Sequence, residues 1–352
     1  MHNRSQLIVP TIHSVLGQSM RNIELIVVDD GSDDDSVAVV RALARSDRRI
    51  RLIATEKHGH PSEPRNIGVA NARSDIIAYI DHDDVWTSDH LAELYMLLRQ
   101  GADIAFTGCI RKDESTGDST VSTPFGSTWH ARLQVMNPIF EPSRAAHDRA
   151  LLDTVGGWLA GPGLEDWDLW LHFADHGARF ASSITPSAVI SLRPTTRRYR
   201  TMRIHRLRLG SFDSAHSAAR AAQSLKSQDM RKSLFRAARR DGGMLLSRLA
   251  AEGELVTPRG WDGHVSELSD DNGPLATHIL DLVVVQRNDK VEIQLPLWCR
   301  TVDHAWRIWR GIQTDYPAQR ALIAQTVSCN GGLAVGGIDA GTTVCQGEPD
   351  YV

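Results

Sequence analysis

The chain has 352 residues, 41% of them hydrophobic, enough for one large domain with a smaller one beside it. Its formal net charge of −4 gives no global case for a nucleic-acid partner. No run of about 20 apolar residues occurs, so no spanning helix is expected and any membrane contact must be peripheral.

The four cysteines, Cys109, Cys299, Cys329 and Cys345, form neither a C-x-x-C pair nor a zinc-spaced tetrad, and read as free thiols in a reducing cytosol. The start, Met1-His2-Asn3-Arg4-Ser5-Gln6, lacks the apolar core of a signal peptide. The expected location is the cytoplasm, with the inner membrane surface left open.

Residues 1–110 alternate helical and strand patterns. Val9, Ile12, Val15 and Leu16 share a helical face, and residues 24–28 follow as a strand. Val37, Val40, Leu43 and Ala44 mark a second helix, and Leu52 and Ile53 a second strand. Residues 62–72 read as helix, 76–80 as strand, 88–99 as helix and 103–107 as strand. Such β-α alternation predicts a Rossmann-like, mostly parallel sheet flanked by helices. Residues 111–128 read as an exposed loop or hairpin, 144–155 as a helix ending at Gly156-Gly157, and 165–176 as another helix. Residues 193–208 hold seven arginines and no acid, and 215–250 are helical and basic. Strands are expected within 276–286 and 291–298, then a helix over 302–326 and a Gly-rich end. The domain reading is 1–210, a basic helical extension over 211–250, and a C-terminal α/β module of unknown role over 251–352.

Two acidic clusters close apolar runs: Glu24-Leu25-Ile26-Val27-Val28-Asp29-Asp30-Gly31-Ser32 and Ile76-Ile77-Ala78-Tyr79-Ile80-Asp81-His82-Asp83-Asp84. Ligands of open α/β sheets bind beyond the carboxyl ends of the strands. Carboxylates delivered there suit a hard divalent cation and, through it, a diphosphate. The bland readings are turn chemistry at Asp29 and Asp30 before Gly-Ser, and a solvated acidic turn at 81–84. Against the second, three carboxylates within four residues repel one another unless a cation or a helix N-terminus offsets them. Between the clusters lies Lys57-His58-Gly59-His60-Pro61-Ser62-Glu63-Pro64-Arg65-Asn66-Ile67-Gly68, where Arg65 can fork onto phosphate oxygens or simply sit on a helix surface.

Taken together, Thr11-Ile12-His13-Ser14-Val15-Leu16-Gly17-Gln18-Ser19, Glu24 to Ser32, Arg65 to Gly68 and Tyr79 to Trp86 resemble the inverting family 2 glycosyltransferases of the GT-A fold. Asp153-Thr154-Val155-Gly156-Gly157-Trp158 and Gly163-Leu164-Glu165-Asp166-Trp167-Asp168 look like that family's acceptor-side motif. The resemblance covers residues 3 to about 200 and not the tail. It implies a hexosyltransferase-type enzyme that uses a nucleoside-diphosphate sugar, UDP- or dTDP-linked. The acceptor would be a glycan, a lipid-linked sugar or a small molecule.

By position, the resemblance implies that Asp30 and Asp29 contact the nucleobase and that Arg65 lies near the base or phosphates. Asp81 would bind the ribose and share with Asp83 an Mg²⁺ or Mn²⁺ ion on the diphosphate. Asp166 would be the general base, with Glu165 as fallback. Trp158 and Trp167 are the acceptor-site candidates, while Trp170 at helical spacing reads as core. His205 in the arginine-rich stretch is a weaker candidate metal ligand. That stretch itself is either a solvated face or a loop closing over the diphosphate or meeting an anionic surface.

The pattern departs at the start, where the family's first apolar strand has no counterpart. Either the start lies upstream of Met1, or another segment such as the tail fills the gap. Two rival functions stay open: a nucleotidyltransferase acting on sugar phosphates, and a non-catalytic nucleotide-sugar-binding protein.

Overall fold

The computed structural model describes residues 1–160, 163–193, 201–268, 275 and 278–345. The chain divides into two compact units. The first is Met1–Trp129 with Pro138–Arg198 and Val256–Asp262; the second is His130–Asn137 with Tyr199–Leu255 and Gly263–Val352. The basic helices and the tail therefore fold together, and the arginine-rich strand joins them.

In the first unit the order is α1 (Ile8–Leu16), β1 (Leu25–Asp30), α2 (Ser36–Ser46), β2 (Ile50–Thr55), α3 (Ser62–Ala70), β3 (Ile76–Ala78), β4 (Val85–Trp86), α4 (His90–Arg99), β5 (Ile104–Asp113) and β6 (Ser119–Val121). After α5 (Ala131–Met136), which belongs to the second unit, come β7 (Ala145–Asp148), α6 (Ala150–Val155), α7 (Glu165–Asp175) and β8 (Phe180–Leu192). This is the α/β layering expected of the GT-A fold.

The pairing is more mixed than β-α alternation suggests. β1–β2 and β5–β8 are parallel, whereas β7 runs antiparallel to both β3 and β5, and β4 antiparallel to β8. β7 lies where the Ala-rich sequence reads as helix; tertiary pairing between two strands overrides the propensity of Ala145 and Ala146.

β1 and β2 form a sheet of their own. Ile8 and Ile12 of α1, Val27, Val40 and Ile50 make their core. On the free side of β1, the Met1 amine donates to the Val28 carbonyl (2.6 Å) and Asp30 N–H donates to the Met1 carbonyl (2.8 Å), the spacing of a parallel bridge. No described tail segment fills the expected gap, because β12 (Leu333–Ala334) and β13 (Ile338–Cys345) both pair with β9 (Thr201–Phe212) in the second unit.

An aromatic block fills the first unit behind its site. Phe106 stacks on Phe140 (4.1 Å), Phe140 on Trp170 (5.0 Å) and Trp129 on Phe180 (3.8 Å). Arg144 is wholly buried beside it and donates to the carbonyls of Thr107 (2.7 Å), Ile139 (3.1 Å) and Gly126 (2.7 Å), which satisfies a charge that would otherwise be costly there.

The second unit is an antiparallel sheet, β10 (Val283–Arg287), β11 (Lys290–Trp298), β9 and β12, with β13 also on β9. Its helices are α5, α8 (Ala215–Lys226), α9 (Gln228–Ala251), α10 (Val302–Asp315) and α11 (Pro317–Cys329). Leu207, Leu209, Ile293, Leu295 and Leu297 face a core shared with Leu225, Leu234, Ile308, Ile312 and Val327. Asp241 of α9 accepts from Ala318 N (3.0 Å) and Gln319 N (3.2 Å), so it caps the start of α11 from another helix.

Among the described residues, no helix is long and apolar enough to cross a membrane. Cys109 and Cys299 are buried free thiols and Cys329 is an exposed one.

Candidate functional site

The first cluster is tied to its own loops. β1 ends in Asp29 and Asp30, and the chain turns at Gly31 (φ +66°), where a Cβ would come within 2.8 Å of the Lys57 amide nitrogen. Asp29 accepts from Ser32 Oγ (2.5 Å) and Ser32 N (3.1 Å). Asp30 accepts from His58 N (2.7 Å), Gly59 N (3.1 Å) and ring Nδ1 of His58 (2.9 Å). Burial pushes the Asp30 carboxyl up, but these donors outweigh it and hold it below its ordinary value. Asp29 and Asp30, expected at the nucleobase, are both buried, and their oxygens shape the turn and the 58–59 loop.

The second cluster folds into a turn held by residues far away in sequence. Ser143 Oγ accepts from Asp81 N (3.0 Å) and donates to Asp84 Oδ2 (2.5 Å). Ser191 N donates to Asp84 Oδ1 (2.9 Å), and Thr11 Oγ1 donates to the Asp84 carbonyl (2.7 Å). Asp84 is therefore a buried stitch between α1, β8 and the loop before β7, and burial followed by Asp81 raises its carboxyl well above the usual range. The helix after it starts at His90, behind Asp89, so Asp84 does not cap it. Asp81 and Asp83 remain on the open side of the turn.

Arg65, on α3, joins the two halves of the site. It donates to Asp81 Oδ1 and to Glu165 Oε1, each at 2.9 Å, and its guanidinium lies 4.5 Å over the Trp158 ring. The Asp81 side chain is 43% exposed while that of Arg65 is 12% exposed, so the arginine is the fixed member. Burial would raise the Asp81 carboxyl, yet Arg65 brings it below its ordinary value. Asp83 is pushed up, first by burial and then by Asp81.

Glu165 and Asp166 open α7, after Leu164 in a left-handed conformation (φ +55°). Glu165 is engaged by Arg65. The carboxyl of Asp166, which accepts from Trp167 N (2.9 Å), is raised to about 7 by burial and then by its neighbour Glu165, with Arg65 opposing.

Of the two tryptophans expected at the acceptor, Trp158 is 2% exposed and Trp167 6%. Trp158 instead packs edge-on against Tyr79 and Trp170, the latter in the core as its spacing predicts. Trp158 Nε1 donates to Tyr79 OH (3.1 Å), which in turn pairs with His147 Nε2 (2.9 Å).

Sequence reasoning also missed the clamp beside it. Asn66 Oδ1 accepts from Trp158 N and Asn66 Nδ2 donates to Trp158 O, both at 2.9 Å. Gly157 (φ +85°) makes this approach feasible, since a Cβ there would sit 2.8 Å from Asn66 Oδ1. The Gly-Gly dipeptide ahead of a tryptophan was the available signal.

His205 is buried on β9 of the second unit. Of the seven arginines, Arg203, Arg206 and Arg208 lie on that strand, Arg193 follows β8, and residues 194–200, with the other three, lie outside the described residues.

Among the described residues, no group of three or more His, Cys, Asp or Glu side chains could hold a metal ion. Mg²⁺ is commonly bound by one or two carboxylates together with substrate phosphates. Two acids in mutual repulsion at Asp81 and Asp83 fit an ion that arrives with a diphosphate.

Residues 1–152 match Glycosyl transferase family 2. The glycosyltransferase GlyG of Streptococcus pneumoniae is 30% identical over 119 residues, 34% of this chain and 40% of that one. The GalNAc(5)-diNAcBac-PP-undecaprenol beta-1,3-glucosyltransferase of Campylobacter jejuni is 30% identical over 113 residues, 32% of this chain and 37% of that one. The chain thus spans about two fifths of these relatives' lengths. The S. aureus TarS fragment 1–349 solved with UDP-GlcNAc superposes with a TM-score of 0.48 at 17% identity, covering 57% of this chain and 60% of that one. The likeness to glycosyl transferase family 2 thus rests on residues 1–152 of this chain.

Proposed function

We propose that this protein transfers a sugar from a UDP- or dTDP-sugar to an acceptor hydroxyl, inverting the anomeric centre. The supporting observation is the Arg65 bridge, which brings donor-side Asp81 and acceptor-side Glu165 to one guanidinium with Asp166 alongside.

Asp166 is the base. With Glu165 engaged by Arg65, its neighbour is left to take the acceptor proton, and a carboxyl raised to about 7 is matched to that task near neutral pH. The acceptor oxygen attacks C1 as the C1–O bond to the diphosphate breaks, and the electron pair leaves with the phosphate oxygen. A single displacement from the face opposite the leaving group inverts the centre. Asp81 takes the ribose, and Arg65 holds Asp81 while lending positive charge beside the leaving group. An Mg²⁺ or Mn²⁺ ion on Asp83 and Asp81 would offset charge on the departing diphosphate. The C. jejuni relative is named for a PP-undecaprenol-linked acceptor, which makes a lipid-linked glycan the first acceptor class to test. Such an acceptor would place the work in the cytoplasm at the inner membrane face.

The test is a panel of UDP- and dTDP-sugars with and without divalent metal, supplied with lipid-linked and soluble glycans. Metal-dependent release of nucleoside diphosphate from one donor is expected. Formation of UTP or dTTP with sugar 1-phosphate when pyrophosphate is added would point to a nucleotidyltransferase, and tight donor binding with no turnover to a non-catalytic binder.

A further inference from the structure

α9 shows a two-sided pattern that the proposed reaction does not use. One side of this 24-residue helix, Leu234, Ala237, Ala238, Asp241, Gly242, Leu245, Leu246 and Leu249, is buried. The opposite stripe, at helical spacing, carries Lys232, Phe235, Arg236, Arg239, Arg240 and Met244, all exposed. Four of these six are cations and none is an acid. The helix has two acids: Asp241 is buried under α11, and Asp229 lies in the first turn. Arg236 makes hydrogen bonds to its own helix, at the Lys232 carbonyl (3.3 Å) and Ser233 Oγ (3.4 Å). Among the cations stand two apolar side chains, Phe235 at 37% and Met244 at 65% exposure. The chain as a whole is acidic at −4, so this stripe is a local reversal of sign.

We infer that this stripe of α9 is a docking surface for an anionic lipid bilayer. The charge matches the surface of a membrane containing acidic headgroups, where clusters of four to eight basic residues on a helix bind. The straight helix puts Lys232 to Met244 along about 18 Å at 1.5 Å per residue, so all the cations meet a flat plane together. Phe235 and Met244, nine residues and so about 180° apart round the helix, border the cations on opposite flanks, apolar groups that a bilayer accepts at headgroup level and a phosphodiester backbone does not. A nucleic acid would use the cations alone. The inference does not depend on the glycosyl transfer proposed above.

Flotation of the full chain with vesicles tests it. Binding is expected to phosphatidylcholine vesicles containing about one third phosphatidylglycerol, and not to pure phosphatidylcholine. Raising salt to roughly 0.5 M should release most of the protein. The triple variant R236E/R239E/R240E should lose roughly a hundredfold in partitioning, and Met244→Ser, with every cation kept, a few-fold. Circular dichroism melting confirms that each variant is folded; should the triple variant fail to fold, Arg240→Glu alone should still weaken partitioning roughly fivefold. Equal flotation with neutral and anionic vesicles, or undiminished binding by the folded variants, would overturn the inference. So would duplex DNA bound as tightly as the anionic vesicles and lost in the same variants.

Discussion

Arg65, Asp166 and Asn66 divide the work at the scale of single residues. Arg65 is half-buried and doubly paired, so its position is set before any ligand arrives. Replacing Asp166 by Asn keeps the shape and removes the proton acceptor. With the accepted sugar donor and acceptor, kcat should fall by about a thousandfold, within the range of general-base catalysis. The acid limb follows the same group. Its carboxyl is raised to about 7, so activity should climb as pH rises through that value and flatten above it. A pH–rate profile whose limb stays near 4 would remove Asp166 from the role. Asn66 acts through the backbone of Trp158. Asn66→Ala leaves a buried N–H and a carbonyl without their partner, and should lower stability by about 1–3 kcal/mol in urea titration. Unchanged stability would mean that water replaces the amide.

At the scale of elements, legibility depended on whether the local pattern and the tertiary pairing agreed. β1, β2 and β3 were readable because apolar runs end in turn residues, and Asp81, Asp83, Arg65 and Asp166 were found on those runs and on the helices between them. β7 was unreadable, since Ala145-Ala146 favours helix and only β3 and β5 make it a strand. β9 was obscured by its arginines, although Arg206-Leu207-Arg208-Leu209 alternates at the period of two that a strand requires. The helix expected over 302–326 is two helices, and Pro317 at the first position of the second was the readable break. The predicted basic helix of 215–250 likewise breaks at Ser227, whose Oγ accepts from Met230 N (3.3 Å). Within α9, Gly243 has nothing within 4 Å of where a Cβ would stand. Gly243→Ala should therefore stabilise the second unit by up to about 1 kcal/mol, because a helical glycine costs that much relative to alanine. A lowered melting temperature would show that the position is contacted.

For the whole molecule, Asp166 at the site and Glu141 in the scaffold are shifted in opposite senses. Glu141 joins Arg111 (2.8 Å) to the buried Arg144 (3.2 Å). Burial would raise its carboxyl, but the two arginines bring it down from 4.5 to about 2. A depressed folded-state value gives stability that is complete above the unfolded value and is lost as pH falls through about 2. Glu141→Gln should therefore lower stability at pH 7 and flatten its decline between about 4.5 and 2, measured by denaturation at a series of pH values. A decline as steep as in the parent would assign acid sensitivity to other carboxylates, Asp30 among them. The second unit was the least legible part, because the family match ends at residue 152 and the arginines of β9 obscure its central strand.

The close approach of Asn66 to Gly157 ties two positions 91 residues apart into one evolutionary unit. Any side chain at 157 would evict the amide, and the left-handed backbone there (φ +85°) independently favours glycine. Lineages descended from a common ancestor with this protein should therefore keep glycine at 157 wherever asparagine stands at 66, and a natural variant with alanine at 157 beside an intact asparagine at 66 would show that the loop can be rebuilt.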